Sequence, residues 1–330
     1  MWYISFHGGS DGVNNLQVYH NSGKPHSSPN ILPVGGTNPE LSELRAFYRV
    51  GELLYVVNGY KNYSQVLVYL SDGDGGYTFK EVFASKDKVE GIFHPYDLTF
   101  DARGNCFVSS QDTNVVTGLK GVNDPMPIAS YLEHKYPSTG NFLPGTQVAS
   151  SIGALPDNPT PSPQDVPTPQ GLDVNYTDDS DTKIAHSVRG VMCFNDYLFV
   201  SDEPANEVKV YVLATGELYG QIKGDNLVSP VQLLINDETL YIGSSGNDSV
   251  VTCDLSNGVS KGSVAPSTFI DGKVKHISGM AFDDDGNFYA AERKAQKIKM
   301  FPADGSGDGE TFIDDLPDNP EFIMYVPKSS

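Results

Sequence analysis

The feature that most constrains the fold is a repeated pair of short strands. Residues 94–110 and 276–292 share one plan: an apolar strand, an Asp-x-x-Gly-Asn turn and a second apolar strand. Alternating apolar residues on both sides of a Gly-containing turn are typical of a β-hairpin, in which Gly supplies a positive φ. Looser copies of the same plan occupy residues 44–58, 189–202 and 230–244. Five hairpins of one type predict a fold built from repeated β-sheets.

The two chain ends supply a sixth repeat. Residues 320–326 have the pattern of a first strand, and residues 2–6 and 15–19 have the patterns of a second and a third strand. Pairing the N- and C-terminal strands closes a ring of sheets and removes exposed sheet edges. The sequence therefore predicts an all-β chain, with residues 1–330 forming a single six-bladed β-propeller of four-stranded blades. The blade closed by the termini comprises residues 1–40 and 319–327.

One segment interrupts the repeat. Residues 121–186 contain ten of the 22 prolines and then the acidic run Asp178-Asp179-Ser180-Asp181. After a short fourth strand predicted at residues 128–132, this segment forms a long Pro-rich connection between the third and fourth blades. Long loops in compact domains are often functional, so a lid over one mouth of the propeller and a solvated surface loop are both open.

The repeated hairpin resembles the motif of the NHL-repeat and six-bladed propeller superfamily. That group includes gluconolactonase and SMP-30-type lactonases, strictosidine synthase-like proteins and virginiamycin B lyase-like proteins. The resemblance covers nearly the whole chain, but the motif specifies a blade rather than a reaction. The fold that it implies is the six-bladed propeller, and the function must be argued from the site.

Charge and hydropathy exclude several classes of partner. The net charge of −20 is spread along the chain, which disfavours nucleic acid and anionic membranes as partners. The sequence has no run of 18 apolar residues, and its start lacks the pattern of a signal peptide, so a cytoplasmic location is expected. A closed ring has no free sheet edge, so a monomer is expected. Standard motifs for hydrolase triads, zinc sites and nucleotide binding are missing from the sequence.

Alignment of the blades predicts two rings of side chains at one mouth of the central channel, where a small-molecule substrate would bind. The ring at the start of the first strands contains Arg45, Pro95, Arg189, Pro230, Ile277 and Glu321, with His94 and His276 one residue earlier. The ring at the end of the second strands contains His7, Asn58, Ser110, Asp202, Ser244 and Glu292. So many ionisable groups at one place indicate a functional site or a set of ion pairs between blades.

The main hypothesis is an enzyme of lyase or cyclase type that works by positioning and acid–base groups. The residues assigned to catalysis are His276, Glu292, His94 and Arg189. The residues assigned to substrate binding are Arg45, Asn58, His7, Ser110 and Ser244. In this hypothesis the arginines hold substrate oxygens and a His/Glu pair moves protons. The resemblance to strictosidine synthase-like proteins and to propeller-type hetero-Diels–Alderases implies chemistry of this kind.

Two alternatives to this hypothesis remain open. Glu321, Asp202 and Asn58 could bind a hard cation, and Glu321 resembles the blade-one glutamate of SMP-30-type lactonases, which implies a Ca²⁺-dependent hydrolase; the asparagine and aspartate ligands of that family have no secure match in this sequence. The cofactor is therefore either absent or a single Ca²⁺ or Mg²⁺ ion, since hard cations prefer carboxylate and amide oxygens. The other alternative is a propeller of NHL type that binds ligand or protein without catalysis, using an exposed aromatic rim that contains Tyr60, Tyr63 and Tyr77.

Overall fold

The computed structural model shows a closed ring of six β-sheets. It describes residues 1–73, 75–89, 91–102, 104–112, 114–119, 141–142, 187–213 and 216–327. The innermost strand of each sheet contacts the innermost strands of its two neighbours, so the six sheets surround one channel. The predicted six-bladed β-propeller is confirmed. The described part of the chain contains no helix with the length and hydropathy needed to cross a membrane.

Within each blade, the strands follow one another from the channel outward. The first blade contains β25 (Pro320–Tyr325), β1 (Trp2–Phe6), β2 (Gln17–Tyr19) and β3 (Pro25–Asn30). The second contains β4 (Leu44–Val50), β5 (Leu53–Asn58), β6 (Gln65–Ser71) and β7 (Tyr77–Ser85). The third contains β8 (Pro95–Phe100), β9 (Cys106–Ser110), β10 (Val115–Leu119) and β11 (Asn141–Phe142).

The other three blades follow the same order. The fourth contains β12 (Val188–Phe194), β13 (Tyr197–Asp202), β14 (Glu207–Val212), β15 (Leu218–Ile222) and β19 (Gly262–Val264). The fifth contains β16 (Pro230–Asn236), β17 (Thr239–Ser244), β18 (Ser249–Asp254) and β20 (Ser267–Ile270), with a 3-10 turn at Ser245–Asn247. The sixth contains β21 (Ile277–Phe282), β22 (Phe288–Glu292), β23 (Lys297–Phe301) and β24 (Glu310–Ile313).

The fourth blade departs from the predicted four strands. Its fifth strand, β19, comes from the chain segment between two strands of the fifth blade and pairs in parallel with β15. The predicted strand at residues 128–132 and most of the Pro-rich connection at 121–186 lie outside the described residues. Within that connection, only Asn141–Phe142 is described, as the outer strand of the third blade.

The repeated turn explains the shared hairpin motif. In the third blade, Asp101 accepts hydrogen bonds from the backbone and side-chain nitrogens of Asn105, at 2.8 and 2.7 Å. Asp283 and Asn287 repeat both contacts in the sixth blade, at 2.8 and 3.0 Å. The Gly before each Asn has φ near 80°, a conformation that other residues rarely adopt. The motif is thus a structural turn rather than a catalytic one.

The core lies between the faces of neighbouring blades. Phe199 and Val208 of the fourth blade pack with Leu233 and Ile242 of the fifth in one buried cluster. Trp2 of the first blade packs in the same way with residues of the sixth. Each fully buried large apolar side chain contributes about 1.5–3 kcal/mol to folding. These contacts hold the blades around the channel and fix the positions of the strand ends at its mouths.

Candidate functional site at one mouth of the channel

The starts of the inner strands define the site. In every blade, the first residue of the inner strand pairs with the last residue of the second strand. Two rings of equivalent positions follow from this pairing. The entry ring, one residue into each inner strand, contains Arg45, Tyr96, Arg189, Val231, Ser278 and Glu321. The exit ring, one residue after each second strand, contains His7, Gly59, Gln111, Glu203, Ser245 and Arg293. Ten of these twelve residues line a cavity of about 680 Å³.

Besides Glu321, five predicted site residues do not line this cavity. They occupy the last position of the second strand, where each side chain accepts a hydrogen bond from a backbone N–H that precedes the inner strand. The five acceptors are Asn58, Ser110, Asp202, Ser244 and Glu292, at donor–acceptor distances of 2.8, 3.2, 3.2, 2.7 and 2.8 Å. The expectation that they face the mouth is corrected, because a shift of one residue along a strand moves a side chain to the opposite face.

The hydrogen bond that the last side chain of the second strand accepts should stabilise each of these blades. In Ser244→Ala, the backbone N–H of Val228 loses its acceptor in a partly buried position, and an unsatisfied donor that is buried costs about 1–3 kcal/mol. We expect the free energy of unfolding in urea to fall by that amount, while ligand binding at the mouth stays unchanged. Ser260→Ala, at an exposed serine, is the matched control. A stable Ser244→Ala variant that loses ligand binding would contradict the structural role.

An ion cluster ties three blades together at the mouth. The buried carboxylate of Glu321 accepts a hydrogen bond from Arg45 Nη1 at 2.7 Å and forms an ion pair with Arg293 Nη2 at 2.9 Å. His7 Nδ1 lies 2.9 Å from the same oxygen, and Arg45 Nη2 donates to Glu43 at 2.9 Å. Burial alone would raise the pKa of Glu321, but the two guanidinium groups and His7 lower it to about 2. The carboxylate is therefore ionised at neutral pH and holds both arginines in place.

A histidine–carboxylate pair lies beside this cluster. His94 Nδ1 is 3.0 Å from Asp112 Oδ2, and its Nε2 is 3.7 Å from Glu43 Oε2. Lys61 Nζ is 3.7 Å from the same Asp112 oxygen. Burial alone would raise the pKa of Glu43, but the hydrogen bond with His94 and the charge of Arg45 lower it. Glu43 therefore connects the histidine pair to the arginine cluster.

Arg189 is held by three neighbours. Its Nε donates to Glu203 at 2.6 Å, its Nη1 donates to the side-chain oxygen of Gln111, and its guanidinium lies 5.1 Å from the centre of the Tyr96 ring. The side-chain nitrogen of Gln111 is in turn 2.7 and 2.8 Å from the two ring nitrogens of His94. These contacts fix Arg189 at the cavity wall with its guanidinium oriented.

The predicted His276–Glu292 pair has a different arrangement. His276 is exposed and lines the cavity, with its backbone N–H donating to Asp248 at 2.9 Å. Glu292 is buried and accepts the backbone N–H of Lys275 instead. His276 therefore lies at the rim of the site, while Glu292 supports the backbone beneath it.

The charge of the cavity contrasts with that of the whole chain. Among its lining residues, five are Arg or Lys, namely Arg45, Lys61, Arg189, Arg293 and Lys294, and two are acids, Glu43 and Glu203. The chain as a whole carries −20. A concave site lined by one sign of charge raises the local concentration of ligands of the opposite sign. The side chains that line the mouth thus include more basic than acidic groups, although Glu321 and Asp112 pair with several of them from behind the lining.

The residues proposed for a cation do not fit one. Glu321 Oε1 pairs with two arginines, whose positive charges would repel a cation. Asp202 pairs with Lys209 Nζ at 2.6 Å, and Asn58 bonds to backbone groups on both its oxygen and its nitrogen. The described residues include no group of three or more His, Cys, Asp or Glu side chains arranged to bind a metal. The donor chemistry of this mouth suits an anion better than Ca²⁺ or Mg²⁺.

Several residues of the site were missed from the sequence. They are Glu43, Lys61, Gln111, Asp112, Glu203 and Arg293. Three of them belong to the exit ring, one residue beyond the position selected by aligning the blades. The exact pairing of each hairpin would have identified them, because all exit-ring positions follow the last paired residue of the second strand. In the first blade that residue is Phe6, which places His7 correctly in the ring.

The fold and the cavity define the protein as a six-bladed β-propeller with a cation-rich site at one mouth. No protein-family model matches the chain, and no curated protein does. It is similar in structure to virginiamycin B lyase from Staphylococcus aureus, at 11% identity and a TM-score of 0.47, over 84% of this chain and 73% of that one. It is also similar to a putative 6-phosphogluconolactonase from Bacteroides fragilis, at 14% identity and a TM-score of 0.49, over 85% and 72%. A computationally designed protein, Ika8, matches at 9% identity and a TM-score of 0.45, over 99% and 77%. At such identities the likeness extends to no particular reaction.

Proposed function

We propose that this propeller is a small-molecule enzyme of lyase or cyclase type, whose substrate carries a carboxylate or a similar anionic oxygen group. One observation carries the proposal: the Arg45–Glu321–Arg293 cluster and the His94–Asp112 pair converge on a single cavity. A site with fixed positive charge beside an oriented imidazole can bind an acid and move one of its protons.

The arginine cluster would bind the substrate. Arg45 is almost fully buried, whereas the side chain of Arg293 is 38% exposed and reaches the cavity. Because Glu321 holds both guanidinium groups, they need no reorganisation when an anion arrives. Negative charge that develops on a substrate oxygen during the reaction would be stabilised by the same groups.

The His94–Asp112 pair would transfer the proton. If Asp112 accepts Nδ1–H of His94, Nε2 keeps its lone pair and would act as the general base once a substrate displaces the side-chain nitrogen of Gln111, which lies 2.8 Å away. In an elimination, Nε2 takes a proton from the carbon next to the carboxylate. The electrons of the broken C–H bond form the new double bond, and the leaving group departs with its own bonding pair. In a cyclisation, the same groups would orient the reacting atoms and polarise a carbonyl oxygen.

The two alternatives have weaker support. A cation-dependent lactonase requires oxygen ligands that are already occupied by arginine, lysine and backbone groups. A purely binding propeller was expected to expose Tyr60, Tyr63 and Tyr77, but Tyr77 is 5% exposed and Tyr60 lines the cavity. Tyr60 and Tyr77 therefore do not form the expected exposed aromatic rim, and the ionisable side chains gather at the mouth instead.

The proposal is tested with a panel of hydroxy acids, unsaturated acids and lactones, each incubated with the protein and followed by mass spectrometry. We expect the protein to convert at least one anionic compound. His94→Gln should lower the rate by about a hundredfold, in the range that loss of a general base causes. His20→Gln, at an exposed histidine outside the cavity, should keep the original rate.

Different outcomes separate the alternatives. Binding of anionic compounds without conversion, at equal affinity in His94→Gln, would overturn the enzyme proposal and favour a binding propeller. Conversion that is lost after EDTA treatment and restored by Ca²⁺ or Mg²⁺ would favour the lactonase. Equal rates for His94→Gln and the original protein would remove His94 from the mechanism.

A further inference from the structure

A second cavity lies toward the opposite end of the channel. It measures about 280 Å³ and is lined by the middle and the C-terminal halves of the inner strands. Most of its wall is apolar or aromatic, including Phe47, Met280 and Phe322. None of the described residues that line it is Lys, Arg or His. It therefore differs in character from the cation-rich mouth.

Two polar side chains interrupt the apolar wall at equivalent positions of their blades. The third position of each inner strand holds Ala46, Asp97, Gly190, Gln232, Gly279 and Phe322. No side chain fits at the two glycine positions. A Cβ on Gly190 would lie 2.5 Å from a neighbouring backbone oxygen, and one on Gly279 would lie 3.0 Å from a backbone nitrogen. Asp97 and Gln232 are thus the polar side chains of this ring of six described residues, and both line the cavity.

Gln232 is buried without a hydrogen-bond partner for its side-chain oxygen. The residue is 6% exposed, and no donor among the described residues reaches its Oε1. A buried acceptor without a partner destabilises the fold, and such groups are rare in native proteins. The residue lines the cavity, so a rotation of the amide group that turns Oε1 toward the cavity would let a ligand donate the missing hydrogen bond.

Asp97 adds a second acceptor on the same cavity. It is 4% exposed, and its two oxygens accept the backbone N–H groups of Leu98 at 2.7 Å and Val191 at 2.9 Å. Burial raises the pKa of Asp97 to about 7, although the two backbone hydrogen bonds lower it. A carboxyl group in such an apolar wall is stabilised as the anion when a positively charged ligand arrives.

We propose that this cavity binds a small apolar primary amine in its ammonium form. The ammonium group would donate to Gln232 Oε1 and to the carboxylate of Asp97, while the apolar part contacts the Phe and Met side chains of the wall. An ammonium group has three donors and no acceptor, which matches the carboxylate of Asp97 and the unpartnered amide oxygen of Gln232. Aromatic walls also favour cations through their ring faces. This site is independent of the reaction proposed at the mouth.

The test uses benzylamine, with benzyl alcohol as the neutral comparator of similar shape, and isothermal titration calorimetry as the readout. We expect benzylamine to bind and benzyl alcohol to bind at least about tenfold more weakly, since hydrogen bonds to charged groups are the stronger ones. Gln232→Leu should weaken benzylamine binding about tenfold and leave the melting temperature unchanged or higher, because it removes an unsatisfied buried group.

Two further variants keep the test decisive. Asp97→Asn should weaken benzylamine binding more than Gln232→Leu does, and if it fails to fold, Gln232→Leu still tests the site. Arg293→Ala, at the mouth, should leave the affinity unchanged, whereas benzylamine bound at the mouth would bind more tightly once that cation is removed. Equal affinities for the amine and the alcohol, an unchanged affinity in Gln232→Leu, or no binding at millimolar concentration would each overturn the proposal.

Discussion

Replacing Glu321 with Gln is expected to lower the free energy of unfolding by about 3–5 kcal/mol, because it removes the fully buried one of the two carboxylates that pair with the buried guanidinium of Arg45. The measurement is urea unfolding followed by the fluorescence of Trp2. The double variant Arg45→Met with Glu321→Leu should lose much less than the two single variants together, since well-packed apolar side chains can replace a buried ion pair. Glu310→Gln, at an exposed carboxylate of the sixth blade, is the control.

The pH dependence of this variant gives an independent check. The folded pKa of Glu321, about 2, lies below its ordinary value of 4.5, so the folded state favours the ionised form. The resulting stabilisation is complete above about pH 4.5 and is lost as the pH falls toward 2. The stability difference between the original protein and Glu321→Gln should therefore shrink across this window. If the stability difference between the two proteins does not change with pH, or if Glu321→Gln is as stable as the original protein, the cluster does not tie the blades together.

Trp2→Ala is expected to cost about 3–5 kcal/mol as well, because it removes the largest buried side chain at the junction of the first and sixth blades. The Trp2 ring centre lies 4.1 Å from that of Tyr289, 5.6 Å from Phe312 and 5.0 Å from Tyr325. Urea unfolding followed by circular dichroism measures the loss.

Hydrogen exchange shows whether Trp2→Ala weakens the junction of the first and sixth blades locally or lowers the stability of the whole propeller. In Trp2→Ala, amides of β1 and β25 should exchange faster than those of the other blades, because the junction opens first. Phe199→Ala, an equally buried aromatic in the fourth blade, should leave the exchange of β1 and β25 close to the global rate. Uniform acceleration in both variants would contradict a weak point at the chain ends.

The fold could be predicted because its determinants are local and repeated. The hairpin at residues 94–110 recurs with the same turn, and Asp101 and Asp283 make the same contacts to the Asn four residues later. Strand alternation identified the split blade as well, since β1 and β25 pair as expected. The fifth strand of the fourth blade was not predicted, because Gly262–Val264 is short and exposed and has no apolar pattern.

The site was predicted less accurately because each inner strand is irregular at its start. The register shifts between Leu44 and Phe47, between Pro95 and Leu98, and at the matching place in the other blades. An extra residue at such a bulge reverses the alternation of side chains. Of the predicted residues, Arg45, Arg189, His94 and His7 line the cavity, whereas the second-strand residues Asn58 and Glu292 do not. The partners of His94 came from loops, where alternation gives no information.

The strand β19 changes how the propeller should respond to force. In the described part of the chain, only the fourth and fifth blades share a strand: β19 leaves the chain of the fifth blade and pairs with β15 of the fourth through Gly220, Gln221 and Ile222. Elsewhere in that part, sheet pairing stays within a blade. Pulling these two blades apart must break parallel backbone hydrogen bonds as well as side-chain packing, so they should yield together as one mechanical unit.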